Sequence, residues 1–320
     1  MDAKAEEQDP QQKQKERALV LEQAALTLAQ SPDYRVLRRV KPRAKFADAE
    51  GRKLLRGIIL DTETTGLDTS SAVIVEIAMV PFLYADDGQP VEVLEAEIYH
   101  GFQDPGAPLS DEVKDVTGLT DEDLQGKTLD IEAIERLAAS ADLIIAHKAD
   151  YDRKLCERLS PVFKAKPWGC SYAQIPWKEE KIRGGMLEYI GVSMGYFFSA
   201  HRAIDDARAL LQFLANPLPI SDRWPLNCIR EDLKRQLYAI WAPQHTPFGL
   251  NVAFKQMGYR WSERTNEHGA ILNKSHRKVV TKAEVHDEMA RLIDFLHRAG
   301  IRGEPSAGPI NPLDRFSFRE

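Results

Sequence analysis

Apolar positions along the chain switch between two periods, and the switches mark its elements. Residues 17–30 carry Leu19, Leu21, Ala24, Ala25 and Leu28 at helical spacing, closed by Ser31-Pro32. The polar stretch before them, residues 1–16, lacks aromatic residues and predicts disorder. A short strand is expected within residues 34–40, whose Arg35, Arg38 and Arg39 form a basic arm able to touch phosphate. Ile58-Ile59-Leu60 then reads as a strand buried on both faces, followed by the β-branched run 72–83 and a third strand over 91–101 after an Asp-Asp-Gly turn. Three strands joined by short turns predict an antiparallel start to a sheet. Residues 129–139 repeat as a helix, 141–146 (ADLIIA) as a buried strand, and a helix follows from about Ala149 through Leu155 and Leu159. Another helix is expected from about Arg202 to Leu214, ending at Asn216-Pro217.

Polar residues that interrupt this pattern carry the candidate chemistry. Asp61 and Glu63 close the first buried strand two residues apart, and extended backbone points both carboxylates to the same side. Such a pair repels itself unless a cation compensates, and hard dications prefer oxygen ligands. Gly66 is read as permitting the sharp turn that follows. Glu76 is an acid inside an apolar strand, a place where a charge should be paired or functional. His147 to Asp152 links a strand to a helix. His201 stands just before a helix that carries Asp206 about one turn in.

Composition narrows the class without deciding it. At 43% hydrophobic and 29% charged residues the chain is an ordinary globular sequence. No apolar run approaches the roughly 20 residues needed to span a bilayer, so no membrane partner is expected. The polar, acidic start predicts no secretory signal, and Cys156, Cys170 and Cys228, without CxxC spacing, fit a reducing cytoplasm. Residues 61–250 hold 31 acids against 18 basic residues, which argues against a broad basic duplex-binding face and suits an enzyme whose bound cations neutralise acids.

In order along the chain, Asp-x-Glu-Thr-Thr-Gly (61–66), His-x-Ala-x-Tyr-Asp (147–152) and His-Arg-Ala-x-Asp-Asp-Ala (201–207) resemble the three motifs of DEDDh-class, DnaQ-like 3′→5′ exonucleases. The resemblance spans about residues 57–215. It implies metal ligation by Asp61, Glu63, Asp152 and Asp206, with Asp61 bridging two divalent cations, Mg²⁺ or Mn²⁺. It further implies His201 as the fifth catalytic residue, the general base. Thr64, Gly66, Leu67, Glu76 and His147 are the substrate-binding residues it suggests, with Leu67 as an apolar wedge against a base. Lys148 stands where Asn is common and Tyr151 where Phe is more frequent, so the middle motif departs from the pattern.

The fold expected is α/β, a ribonuclease H-like mixed five-stranded sheet flanked by helices, with a small α+β C-terminal module. The domains expected are an N-terminal extension over 1–55, the exonuclease domain over 56–216, a linker over 217–225 and the C-terminal module over 226–320. Helices over 229–237, 248–257 and 283–296 and strands over 237–241, 259–262 and 277–280 are predicted there. Its Lys255, Arg260, Trp261, Lys274, Arg277 and Lys278 mix basic and aromatic character suited to a strand or partner. The implied substrate is a single-stranded or frayed 3′ end, DNA favoured over RNA, with a polymerase or repair partner. The alternatives are an exoribonuclease or oligonucleotide hydrolase, and a non-catalytic, polymerase-associated nucleic-acid-binding module.

Overall fold

The computed structural model describes residues 10–183, 185–244, 246–265 and 270–320. Residues 1–9 of the expected disordered start lie outside the described residues, and residues 10–16 are helical. They begin α1 (Pro10–Ala29), a full turn and more ahead of the apolar repeat. The arm behind α1 makes only a two-residue strand, β1 (Arg38–Arg39).

The central sheet has six strands rather than five. β2 (Leu54–Thr64) and β3 (Ile74–Ala85) pair antiparallel over their whole length. The expected third strand is broken into β4 (Pro90–Val93) and β5 (Tyr99–Phe102) by a 3-10 turn at Glu95–Glu97, and the two pair with opposite ends of β3. β6 (Leu143–Ala146) and β7 (Trp168–Cys170) extend the other side of β2 in parallel, giving the mixed order β4-β3-β2-β6-β7 with β5 also on β3.

Alternation along β2 sorts the core into two layers. Ile58 and Leu60 face a layer with α4 (Ile131–Ser140), whose Ile134 and Ala138 are buried there, and with α5 (Ala149–Leu159), whose Leu155 and Cys156 join them. The short helices α2 (Asp111–Thr117) and α3 (Asp121–Leu124) lie over the end of β3, where Leu109, Leu119 and Leu124 meet Val75. Ile59 faces the opposite layer, built on α8 (Ala203–Leu214) with α7 (Leu187–Ser193). Beyond β7 lies α6 (Ser171–Gln174). β8 (Tyr196–Phe197) pairs in parallel with β1.

Leu218, within the stretch expected to be a linker, is buried in the α8 layer. Leu226, Cys228 and Ile229 of α9 (Pro225–Leu233) pack into it too. The chain then forms a four-stranded antiparallel sheet in the order β10-β11-β9-β12, from β9 (Leu237–Trp241), β10 (Arg260–Thr265), β11 (Ile271–Thr281) and β12 (Ser306–Pro309). α10 (Asn251–Gln256) and α11 (Val285–Arg298) cover one face through Phe254, Leu292 and Leu296. No helix among the described residues is long and apolar enough to cross a membrane.

Candidate active site

β2 ends where its apolar run gives way to acids, and a register shift between Glu63 and Thr64 bends it there. Asp61 and Glu63 share the face of Ile59, the side on which α8 packs, so α8 brings Asp206 over them. One carboxylate oxygen from each of Asp61, Glu63 and Asp206 lies within 4.8 Å of the others. Asp152 arrives on α5 from the opposite layer. Its Oδ1 accepts a 2.7 Å hydrogen bond from the Thr62 hydroxyl, on the face of β2 turned away from the trio. The expected fourth ligand therefore stands beside the cluster and outside its tightest grouping.

The electrostatics are those of a site short of positive charge. Desolvation drives the Asp61 carboxyl well above its ordinary value, and the charges of Asp152, Asp206 and Glu63 push it further. Glu63 is raised to about 8, again by desolvation first and then by Asp206 and Glu76. Burial also raises Asp152 and Asp206, against the hydrogen bonds each accepts. Four crowded, poorly solvated carboxylates favour any change that removes negative charge, either protonation or a bound cation. Their oxygen-only donor set suits Mg²⁺ or Mn²⁺ and thus fits the metals the motifs imply.

His201 sits at the mouth of this cluster in an unusual backbone state. Its φ is +65°, left-handed for a residue with a side chain. That geometry turns its backbone N–H onto Asp206 Oδ2 at 2.9 Å. The imidazole stays exposed, with Nε2 3.6 Å from Glu188 Oε1 on α7. Glu188 is an acid that sequence reasoning missed, since only the folding of α7 beside α8 brings it near.

The other expected residues fare differently. Thr64 Oγ1 donates to the Gly66 carbonyl at 2.8 Å, and the Tyr151 hydroxyl donates to the same carbonyl at 2.5 Å while touching Thr64. The hydroxyl that distinguishes Tyr151 from Phe thus ties α5 to the turn after β2. Gly66 itself has no left-handed φ and no neighbour a Cβ would strike, so this turn does not require glycine. Leu67 is 89% exposed at the tip of this turn.

Glu76 is fully buried opposite Glu63, held by His100 Nε2 at 2.6 Å and Arg202 Nε at 3.2 Å. Burial works against its charge, but those two partners outweigh it and keep the carboxyl below its ordinary value. His147 is engaged at both nitrogens. Nε2 donates to the Gly185 carbonyl at 2.7 Å, which leaves Nδ1 to accept from Ser171 Oγ at 2.8 Å, and burial lowers its pKa to about 4. Neither residue offers a free polar atom to a substrate as the protein stands. In the C-terminal module Lys274, Arg277 and Lys278 pair with Glu263, Glu320 and Glu288, so three of the five basic residues of that set are neutralised internally.

This geometry defines a class: an acid-lined site at the end of a mixed sheet flanked by helices. Residues 58–167 match the RNase_T exonuclease family model. The matched span stops before α8, leaving His201 and Asp206 outside it. The DNA polymerase III PolC-type of Thermotoga petrophila is 29% identical over 161 residues, covering 48% of this chain and 11% of that protein. Its Thermotoga maritima counterpart is 28% identical over 183 residues, 55% of this chain and 12% of that protein. The chain thus spans only a small part of those relatives. Among solved structures, Exonuclease X in complex with 5′ overhanging duplex DNA is similar at 23% identity and a TM-score of 0.31, over 49% of this chain and 90% of that one. E. coli Exonuclease I in complex with a dA16 oligonucleotide is similar at 12% identity and a TM-score of 0.44, over 78% of this chain and 68% of that one.

Proposed function

We propose that this protein is a divalent-metal-dependent 3′→5′ exonuclease that releases nucleoside 5′-monophosphates from single-stranded or frayed ends. The observation that carries the reading is the convergence of Asp61, Glu63 and Asp206 within 4.8 Å, with Asp152 beside them and His201 at the rim. Asp61, Glu63, Asp152 and Asp206 would hold two ions, Mg²⁺ or Mn²⁺, which supply an activated water and charge stabilisation for the leaving oxygen.

The chain's own part is proton handling and positioning. His201 takes a proton from the water that attacks the terminal phosphodiester phosphorus. The bond from phosphorus to the 3′-oxygen of the penultimate nucleotide breaks, and that oxygen gains a proton as the 5′-monophosphate departs. Asp206 holds the His201 backbone in place, and Leu67 meets the terminal base at the tip of the turn. Only an unstacked end reaches acids set at a sheet terminus, which is why a single strand suits the site. DNA is the favoured substrate and a polymerase or repair assembly the favoured partner, because the sequence relatives are DNA polymerases.

The direct test is degradation of end-labelled single-stranded DNA and matched RNA with Mg²⁺, Mn²⁺ or EDTA, alongside Asp61→Ala. Stepwise shortening from the 3′ end, abolished by EDTA and by the substitution, is the expected result. Folded protein that leaves both substrates intact with metal present would refute the reading.

A further inference from the structure

We propose that Arg39 and Phe197 form a second contact for a nucleic-acid single strand, set beside the loop that carries His201. The inference deepens the exonuclease reading and rests on it. Residues 35–45 contain six basic residues and no acid, in a chain whose central part is strongly acidic. The arm is fixed in place. The Arg38 N–H donates to the Gly195 carbonyl at 2.8 Å and the Val40 N–H to the Phe197 carbonyl at 2.9 Å, and Val40 packs on the α8 layer.

This pairing puts Arg39 opposite Phe197, with the guanidinium 4.7 Å from the ring centroid and 3.5 Å from Ser199 Oγ. Neither partner is anionic, and among the described residues no acid pairs with Arg39. Arg38 and Lys45, by contrast, pair with Glu22 and Asp48. Phe197 remains 38% exposed, a large apolar ring left at the surface beside a guanidinium with no acidic partner among the described residues.

A planar cation and an aromatic face together match a phosphate followed by a base, and stacking on the ring tolerates any sequence. Location makes the pairing useful. Ser199 lies two residues before His201, so their Cα atoms are at most about 7 Å apart, roughly one nucleotide along a strand. A strand whose 3′ end enters the acid cluster meets repulsion from its carboxylates. A cation one or two nucleotides away offsets that repulsion for the body of the strand and leaves the reacting phosphate alone.

The test separates strand binding from chemistry. Binding of a fluorescein-labelled 12-residue thymidylate strand to the full chain is measured in Ca²⁺ against KCl concentration, for the wild type, Arg39→Ala, Arg39→Lys and Phe197→Leu. Turnover of the p-nitrophenyl ester of thymidine 5′-monophosphate with Mg²⁺ is followed in parallel. Arg39→Ala is expected to weaken binding several-fold and to reduce the slope of log K against log salt by about 0.7, while Arg39→Lys keeps the slope. Phe197→Leu is expected to lose about 5-fold through stacking. Ester turnover should stay unchanged in all three. Wild-type affinity and slope in Arg39→Ala, no binding by the wild type, or an ester loss that parallels the binding loss would each overturn the subsite. Failure of the wild type to hydrolyse the ester counts against the exonuclease reading, while the binding curves still decide the subsite.

Discussion

His201, the proposed general base, is held in a strained backbone state. Left-handed backbone costs about 1–3 kcal/mol at a residue with a side chain. The strain persists because Asp206 accepts the backbone N–H and α8 begins two residues later. His201→Ala is expected to lower turnover by about 10²–10⁴. It should leave Mn²⁺ binding, followed by calorimetry, within a few-fold of wild type, since no carboxylate is removed. Retained turnover would take the imidazole out of the mechanism. Asp152 and Asp206 were reached only through the motif resemblance, whereas Asp61 and Glu63 were legible as a pair in the sequence because their spacing fixes a shared face. Glu188 and Thr62 were not, because their partners stand on other elements and no local pattern encodes the meeting. His147 and Glu76 were legible as unusual residues, but sequence could not show that Ser171, Gly185, His100 and Arg202 occupy them.

At the scale of elements, α5 is held from outside as much as from within. Arg153, next to Asp152, is fully buried. Its Nε meets Glu157 at 2.7 Å, and its two terminal nitrogens donate to the carbonyls of Arg315 at 2.7 Å and of Leu313. Arg319 returns to the same Glu157 at 2.5 Å, so the C-terminal tail clasps the helix that presents Asp152. Removing Arg153 strips the Arg315 and Leu313 carbonyls of their buried donor and leaves Glu157 with Arg319 alone, so Arg153→Ala should destabilise the protein by about 2–4 kcal/mol in urea unfolding. A loss below about 1 kcal/mol would show the clasp to be ornamental to stability. No reading of Arg153 alone reveals this, since its carbonyl partners lie about 160 residues away. Strands were more legible than their breaks. The run from 91 to 101 alternates well enough for one strand, yet the turn at Glu95–Glu97 divides it so that each half reaches a different end of β3.

For the whole molecule the acid cluster makes stability depend on pH and on cation together. Unfolded carboxyls give up their protons around pH 4, whereas Glu63 in the fold keeps its proton to about pH 8 and Asp61 is also held well above its ordinary value. Folded protein without metal therefore binds more protons than the unfolded chain in this range, and its stability falls as pH rises, by about 1.4 kcal/mol per pH unit for each proton still held. The opposing groups act elsewhere. Glu76 and Asp232 are held low, so their contributions are lost only in acid, and that of His147, lowered to about 4, is complete above its unfolded value of 6.5. Burial also raises the thiols of Cys156, Cys170 and Cys228 and adds a fall of the same sign near pH 8.5, so the Mg²⁺ increment carries the test. The window is pH 7 to 8.5. Across it the Tm of EDTA-treated protein should fall, and Mg²⁺ should raise Tm by more at pH 8.5 than at pH 7, because at the lower pH the ion must displace protons. Asp61→Asn removes one buried charge, so it should raise the metal-free Tm at pH 8.5 and shrink the increment from Mg²⁺. Equal Mg²⁺ increments at both pH values, with a wild-type increment in Asp61→Asn, would mean that the cation binds somewhere other than these carboxylates.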